Sequence, residues 1–450
     1  MLTRIKTFLL NLFSGEQRRL RRLWASALDK EVKLNSDLSN LREHAQASLQ
    51  RWFSNPEVIR KVLEELREHK PILVVRNFAV VTRYSDVIEV LSHDEDFTVN
   101  QIYAAKMERT SGSFFLGMDR GEQYEGEHAK LQMAIHPKED VPRIRKFVSD
   151  NADMLIDDAK RNGRIDVVNG LFRLVATRLV EHYFGVPGPD EATMMKWHRT
   201  IFRDIFLNLN NDPEVMKKAA VSAEEMNKYM DELIARRKAE LAAGDDGRDD
   251  VLTRLLKMQR DPEHSFDDAG ICRNVGGTIL GAIETTSKAA TQAFDQLLNR
   301  PELLRVAQEA ALADDDQLVF SCVFEALRFN PHNPIIIRHC DRSYTLAKGT
   351  KREKEIPQGS TVFAATLAAM FDPEDFPSPN EFRTDRPAGK YIHFGYGLHT
   401  CFGEYLNVAQ VPGAIKRLLR QQGLRRAAGD DGQMRFDGPF PDRLIVAFDA

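Results

Sequence analysis

The stretch HFGYGLHTCFGEYL, residues 393–406, places a single thiol, that of Cys401, among glycines at positions 395, 397 and 403. Glycine adopts backbone conformations that are closed to other residues, so several N–H groups can point at one sulfur. We predict a helix that begins just after the cysteine, and a helix N-terminus adds positive potential there. Both effects favour the thiolate. The residues alone therefore make Cys401 a nucleophile, a soft metal ligand or a structural cysteine in a tight turn.

The composition limits the classes of protein to which this chain can belong. It has 450 residues, 42% of them hydrophobic, and 63 basic residues against 67 acidic ones give a net charge of −4. Such a chain can bury a large core, and it lacks the basic excess that neutralises nucleic acid, so we expect no nucleic-acid partner. The four cysteines are too scattered for a disulfide framework or a paired zinc site, and no run of 18 apolar residues is present. We therefore expect a cytoplasmic protein.

The first 24 residues, MLTRIKTFLLNLFSGEQRRLRRLW, combine apolar residues at helical spacing with a cluster of arginines. This pattern is typical of a helix that lies in a membrane interface, so peripheral membrane contact through residues 1–24 is one hypothesis. Packing of this helix on its own protein and a frayed terminus are the alternatives. We treat residues 1–54 as an N-terminal helical extension.

The remaining sequence predicts a mainly α-helical protein with a minor β-sheet region. Residues 71–91 predict two short strands followed by a helix, and charged segments of helical period dominate residues 138–330. Further strand-like runs are found at 335–340, 344–347 and 361–365. The strands are few and short, so we expect the helices to build most of the core.

One helical segment is unusually long. No proline lies between Ser265 and Pro301, and apolar residues recur there at helical spacing, which predicts about 33 helical residues crossing about 50 Å. We expect this helix to begin at a capping box, residues 265–268, and to run through the middle of the protein. Its centre, GAIETTS at 281–287, carries a carboxylate and adjacent hydroxyls in place of bulky core side chains. A kink or a polar cavity is expected there, because buried polar groups must be satisfied.

Four motifs in one order carry a family resemblance. The pattern Phe394-Gly395-x-Gly397-x-His399-x-Cys401-x-Gly403 resembles the haem-binding signature of the cytochrome P450 family. Glu325-Ala326-Leu327-Arg328 matches the family's ExxR motif, with Arg386 as its third partner. The resemblance covers roughly residues 55–450 and implies a single haem-thiolate catalytic domain with the cytochrome P450 fold and its long central helix over the haem. It identifies Cys401 as the axial ligand of the iron in haem b.

The resemblance also implies which side chains bind the cofactor. The positions that match the family's propionate partners and cysteine loop are His128, Arg338, Phe394, Gly395 and His399. For His128 an exposed helix histidine is the alternative interpretation. Members commonly have an arginine four residues after that histidine, where this chain has Gln132, so one propionate contact is missing or supplied differently. A second departure is Met370-Phe371, where bacterial members usually have Asn-Arg.

The centre of the long helix matches a further family motif. Glu284-Thr285 corresponds to the acid–alcohol pair that delivers protons for oxygen activation, although both residues also fit the simpler role of stabilising a kinked helix. Ala282 corresponds to a small residue that leaves room for dioxygen. With Ile335 and Ile336 it is expected to line an apolar substrate pocket, while the isoleucines fit an ordinary core strand equally well.

These residues together predict a monooxygenase. It would insert one oxygen atom from O2 into a lipid-, fatty-acid- or terpenoid-like molecule by hydroxylation or epoxidation. Because the sequence shows no flavin or iron–sulfur motif, its electrons would come from a separate ferredoxin or flavodoxin with a reductase. Two alternatives are an isomerase or peroxygenase that acts on fatty-acid hydroperoxides, and a non-enzymatic haem sensor.

Overall fold

The computed structural model describes residues 56–208, 211–245, 247–261, 263 and 265–449. A compact unit runs from Leu63 to Ala450, and the site discussed below lies within it. The predicted N-terminal extension, residues 1–54, and the membrane hypothesis for residues 1–24 lie outside the described residues. None of the helices in the described part of the chain is long and apolar enough to cross a bilayer.

Helices build most of the described chain. They are α1 Pro56–His69, α2 Tyr84–Ser92, α3 Asn100–Glu108, α4 Glu122–Met133, α5 Pro137–Lys160, α6 Arg173–Leu179, α7 Glu191–Phe202, α8 Pro213–Ala242, α9 Val251–Met258, α10 Asp268–Leu280, α11 Glu284–Leu298, α12 Pro301–Leu312, α13 Asp316–Phe329, α14 Thr366–Ala369 and α15 Glu404–Leu419. Short π-helical segments flank α6 at Val168–Phe172 and Val180–Phe184, and a third follows α7 at Arg203–Leu207. The large core cluster is formed by side chains from these helices.

The strands form four small sheets. They are β1 Ile72–Val75, β2 Phe78–Val81, β3 Phe97–Thr98, β4 Arg164–Asp166, β5 Ile336–Cys340, β6 Tyr344–Leu346, β7 Lys354–Ile356, β8 Thr361–Ala364, β9 Arg425–Arg426, β10 Arg435–Asp437, β11 Phe440–Arg443 and β12 Ile445–Ala447. The largest sheet has the order β1-β2-β8-β5-β3, with β2 and β8 parallel and the other neighbours antiparallel. The prediction of a mainly helical protein with a minor sheet is confirmed, including the strands expected at 71–81, 335–340, 344–347 and 361–365.

The long central helix is divided in two. Helix α10 ends at Leu280 and α11 begins at Glu284. At the break the Thr285 hydroxyl donates to the Gly281 carbonyl, which is the acceptor that the Thr285 N–H would use in a regular helix. The expectation of a kink is therefore confirmed, whereas the expectation of one unbroken helix is wrong.

The start of α10 also differs from the prediction. The N-cap is Asp267, whose carboxylate accepts a hydrogen bond of 2.7 Å from the Gly270 N–H. The N-cap therefore lies two residues after Ser265, the first residue of the predicted capping box. A carboxylate at this position satisfies a free N–H and also interacts favourably with the helix dipole.

A fully buried ion pair lies at the C-terminal end of α13. Arg328 donates to both carboxylate oxygens of Glu325, at 2.9 and 2.7 Å, and neither side chain has any exposed surface. The remaining guanidinium donors bind the backbone carbonyls of Met370, Pro379 and Glu381. A buried charge is tolerated only when its partners are all present, and here they are.

Glu325 accepts additional hydrogen bonds from the segment that leads to the cysteine loop. Arg386 Nε lies 3.2 Å from Glu325 Oε1, the Arg383 N–H lies 3.0 Å from the same oxygen, and the Tyr391 hydroxyl lies 2.8 Å from Oε2. The predicted third partner, Arg386, is thus in contact with the pair. The network fixes this segment on α13 ten residues before Cys401.

The pair Met370-Phe371, which departs from the family pattern, lies against Arg328. Both side chains are buried, and the Met370 carbonyl is one of the acceptors for Arg328. The Phe371 ring lies 4.4 Å from the guanidinium carbon of Arg328. An aromatic face therefore contributes a cation–π contact here, which accommodates this departure from the family pattern.

The buried pair gives a prediction about stability. Arg328→Leu leaves Glu325 as an uncompensated buried charge, so we expect the free energy of unfolding to fall by about 3–5 kcal/mol. Arg305, which is 63% exposed and paired with Glu309, provides the control. Arg305→Leu should change the free energy of unfolding by less than about 0.5 kcal/mol. Urea midpoints measured side by side test this, and equal midpoints for the two variants would contradict it.

Candidate active site

The loop before α15 holds Cys401 through a tight backbone turn. The Cys401 N–H donates to the Phe394 carbonyl at 2.8 Å, and Gly395 and Gly397 have φ values of 79° and 74°. This left-handed region favours glycine. At Gly397 a Cβ would also lie 2.4 Å from the Leu91 carbonyl oxygen, so only glycine fits there. The predicted glycine geometry and the helix that follows Cys401 are both confirmed.

Burial and the backbone of the loop have opposite effects on the pKa of Cys401. The Gly403 N–H does favour the thiolate, but burial outweighs it and raises the pKa of Cys401 to about 11. The loop therefore makes the predicted contribution toward the thiolate, but this contribution is smaller than the effect of burial. Cys401 nevertheless has accessible surface, and we refer to the space in front of its sulfur as the cleft. A metal cation bound at the sulfur would displace the proton and reverse the preference.

A buried cation lies near this cleft without a carboxylate partner. Arg338 is 5% exposed, and its hydrogen bond goes to the carbonyl of its neighbour Ile337. Among the described residues no carboxylate lies within 4 Å of its guanidinium. The nearest acidic charges, those of Asp94 and Asp119, interact with it only at longer range. A buried guanidinium in this state fits an anionic group that comes from outside the chain.

Of the two predicted site histidines, His399 interacts with this arginine, and His128 interacts with His399. Burial is the main cause that lowers the pKa of His399 to about 3, and the charges of Arg338 and His128 lower it further. His399 Nδ1 is buried and has no hydrogen-bond partner among the described residues. Burial also lowers the pKa of His128. Near neutral pH both histidines are therefore neutral, and each can donate one N–H to an anion.

Aromatic side chains hold α4 against the cysteine loop. The Tyr124 ring stacks on His128 with centroids 5.4 Å apart, and its hydroxyl donates to the Leu398 carbonyl at 2.8 Å. The Phe402 ring also contacts the histidine, edge to face. His128 is therefore partly buried among aromatic rings, and the interpretation of it as an exposed helix histidine is wrong. Gln132, one turn further on, is exposed and makes no contact of this kind.

The predicted acid is at the centre of a buried charge cluster. Glu284 is 2% exposed, and its two oxygens bind Arg173 at 2.5 Å and Arg199 at 3.0 Å. Arg199 continues to Asp442, which lies 3.3 Å away and is half exposed. Sequence reasoning missed both arginines. The result is a continuous chain of charged groups from the surface to the residue beside Thr285.

A side-chain bridge joins α11 directly to the cysteine loop. The Thr286 hydroxyl donates to Asn407 Oδ1 at 2.8 Å, and Asn407 Nδ2 donates to the Gly403 carbonyl at 3.0 Å. Thr285 therefore lies one residue from a direct link to the turn that holds Cys401. Thr286 was not among the predicted site residues, although its position beside the acid–alcohol pair is a signal that could have identified it.

The predicted pocket residues lie at the same cleft. Ile336 approaches Gly395, where a Cβ would be 3.5 Å from Ile336 Cδ1. Ile336 and Arg338 are two residues apart on β5, so they share a face of the strand. Ile335, Ala282 and Thr285 each keep accessible surface, and Phe394 is partly buried against the core. The structure thus brings Ile336 and Arg338 to the cysteine loop, as the sequence predicted.

The residues present fit a haem. The cysteine loop offers one soft sulfur in a glycine turn, and a thiolate of this kind is a known axial ligand for haem iron. Unpaired Arg338, together with the free nitrogen of His399, offers donors for the carboxylates of the macrocycle. The role of each residue toward the cofactor stays a prediction.

Comparison with known proteins agrees with this fit. Residues 70–437 match the model of the cytochrome P450 family. The chain belongs to that family, whose members are haem-thiolate monooxygenases.

The relatives and solved structures match over most of their length. The chain is 27% identical over 375 residues to the mycinamicin IV hydroxylase/epoxidase of Micromonospora griseorubida, covering 80% of this chain and 87% of that protein. It is 25% identical over 349 residues to the vitamin D(3) 25-hydroxylase of Pseudonocardia autotrophica, covering 76% and 79%. The crystal structure of CalO2 has a similar fold, with a TM-score of 0.75, 23% identity and coverage of 87% and 96%.

The unpaired arginine gives a prediction about cofactor retention. Arg338→Met removes a charge-assisted hydrogen-bond donor, so we expect haem to bind about tenfold more weakly or worse. Arg342 is only two residues beyond β5 and its side chain is 59% exposed, so Arg342→Met is the matched control and should retain haem like the wild type. Transfer of haem to apomyoglobin measures the difference. Equal retention by both variants would contradict the role of Arg338.

Proposed function

We propose that the protein uses haem b and O2 to hydroxylate or epoxidise a hydrophobic small molecule of lipid, fatty-acid or terpenoid type. Its electrons come from a separate ferredoxin or flavodoxin with its reductase. The observation that carries the proposal is one accessible sulfur, Cys401, in a loop that hydrogen bonds through Thr286 and Asn407 tie to the broken helix that carries Glu284 and Thr285. Residues 55–450 form the catalytic domain. All four cysteines are free, in agreement with a cytoplasmic location.

We assign the binding of the cofactor to residues on three elements. When bound, the haem supplies the centre at which dioxygen binds and electrons are taken up. Cys401 holds the iron through its sulfur. Arg338 and His399 bind the propionates, and His128 donates a further N–H from α4. Because Gln132 stands where members of the family commonly have an arginine, we assign the propionate contacts to these three side chains.

Solvent protons reach the alcohol Thr285 through its neighbour Glu284. Arg199, which also contacts the half-exposed Asp442, holds the Glu284 carboxylate in position and does not itself carry the protons, because a guanidinium is not deprotonated in proteins. In this proposal Glu284 passes protons inward and Thr285 holds the last proton at its Oγ1. The break at Gly281 supports this role, because it sets the hydroxyl on the accessible face of the helix.

The apolar lining supports the choice of substrate. Ala282, Ile335 and Ile336 present no polar side-chain atoms to the cleft, so an apolar molecule buries its surface there favourably. Two relatives carry the word hydroxylase in their names, which supports oxygen insertion as the reaction.

The assignment of the sulfur is tested by spectroscopy. Cys401→His replaces the thiolate, so the reduced, carbon-monoxide-bound protein should lose its red-shifted absorption band. Cys272→Ser is the matched control, since Cys272 lies in α10 and burial raises the pKa of its thiol to about 12. That variant should keep the band. A Cys401→His protein with an unchanged band would overturn the assignment.

The assignment of the alcohol is tested by the coupling of electrons to product. Thr285→Ala removes the last proton donor, so we expect product per electron to fall by about tenfold while hydrogen peroxide rises correspondingly. Thr285→Ser keeps the hydroxyl and should restore most of the coupling. The measurement compares product and peroxide for the same electron supply.

A separate test concerns the reaction itself. If the protein turned over a fatty-acid hydroperoxide but showed no turnover with O2 and a reductase system, the monooxygenase proposal would be refuted.

A further inference from the structure

One lysine lies on the accessible face of the central helix. Between Ile279 and Asp295 every residue is buried except four, and these four recur at intervals of one, three and three residues. They are Gly281, Ala282, Thr285 and Lys288. Such spacing puts them on one face of the helix. Lys288 therefore lies on the same accessible face as Thr285, one turn further along α11.

Lys288 has no acceptor within the described chain. No hydrogen bond or carboxylate within 4 Å is found for its amine among the described residues. Glu284, one turn earlier, is already bound by Arg173 and Arg199. Burial lowers the pKa of Lys288 to about 8, so the amine is still mostly protonated at neutral pH. A largely buried ammonium without a partner is costly, which makes the site attractive to an anion.

A histidine lies next to this lysine. Gln292, one turn beyond Lys288, donates to Asn330 Oδ1 at 3.3 Å, and this bond ties α11 to the segment after α13. His332 follows Asn330 by two residues. Burial lowers the pKa of His332 to about 3, and the charges of Lys288 and His393 lower it further. His332 is therefore neutral, and its ring can donate one N–H beside the ammonium.

We propose that Lys288 and His332 bind the carboxylate of the substrate, which makes the substrate an apolar acid with a single negative charge. The inference rests on the proposed function and names its substrate class more narrowly. One ammonium and one neutral imidazole balance one carboxylate, whereas a doubly charged phosphate would leave negative charge buried. The isoleucines that follow, Ile335 and Ile336, lie where the apolar body of such an acid would continue.

The pair is distinct from the cations assigned to the haem. His399 interacts with both Arg338 and His128, and neither Lys288 nor His332 is among the charges that influence these three residues. The carboxylates of the macrocycle therefore have their own donors. Lys288 is left for a different anion in the same cleft.

Imidazole ligands that coordinate the iron test this inference without knowledge of the natural substrate. We would titrate a series of ω-imidazolyl alkanoic acids of increasing chain length, and the alkylimidazoles of equal length, and follow the haem absorption spectrum. At one or more chain lengths the acid should bind about tenfold more tightly than its neutral partner, because a charge-assisted hydrogen bond contributes that much. Lys288→Met should reduce this advantage to less than about twofold.

Controls separate recognition of the carboxylate from damage to the site. Lys288→Arg keeps the charge and should keep most of the advantage, and Lys228→Met, at a lysine that is 78% exposed, should leave it unchanged. Equal binding of neutral alkylimidazoles to wild type and Lys288→Met shows that the cleft is intact. The inference fails if no acid is favoured in the wild type, or if Lys288→Met keeps the advantage. If even the neutral alkylimidazoles cause no spectral change, the proposed function itself fails, and the inference with it.

Discussion

The structure depends most on one buried ion pair, Glu325 with Arg328. Neither side chain reaches solvent, so each must find all of its partners inside the protein. Those partners come from a segment with little regular secondary structure, and that segment ends at Tyr391, shortly before the cysteine loop. This segment has few backbone hydrogen bonds of its own, so its hydrogen bonds to Glu325 and Arg328 fix its conformation. The position of Cys401 relative to the helices follows from that path.

The charged side chains around the cleft do not balance one another within the described part of the chain, because the cations have too few carboxylate partners. Glu284 is shared by two arginines, so the positive charges around it more than satisfy the carboxylate. By contrast, Arg338 and Lys288 are cations with no carboxylate within 4 Å in the described part of the chain. Because unpaired buried cations are costly, the cleft as a whole is complementary to anions. A dicarboxylate macrocycle and an acidic substrate would together supply the missing negative charge.

Much of the fold could be predicted because its signals are local. The two strands and helix at 71–91 follow from a β-branched run and a helical period, and the turn at Gly395 and Gly397 follows from residue type. The break in the central helix was expected from its polar centre, but its exact place was not. It depends on the Thr285 hydroxyl reaching the Gly281 carbonyl, which competes with a backbone hydrogen bond.

The sequence by itself determined the helical class, the turn around Cys401 and the motif residues, because each of these depends on neighbours within a few positions. Only the tertiary structure decided which partners those residues meet. Arg173 lies 111 residues from Glu284, and nothing in the local pattern marks it. The ionisation of Cys401 was likewise decided by burial, which outweighs the glycine N–H groups that the sequence displays. Burial and long-range pairing sum contributions from distant segments, so they exist only once the chain has folded.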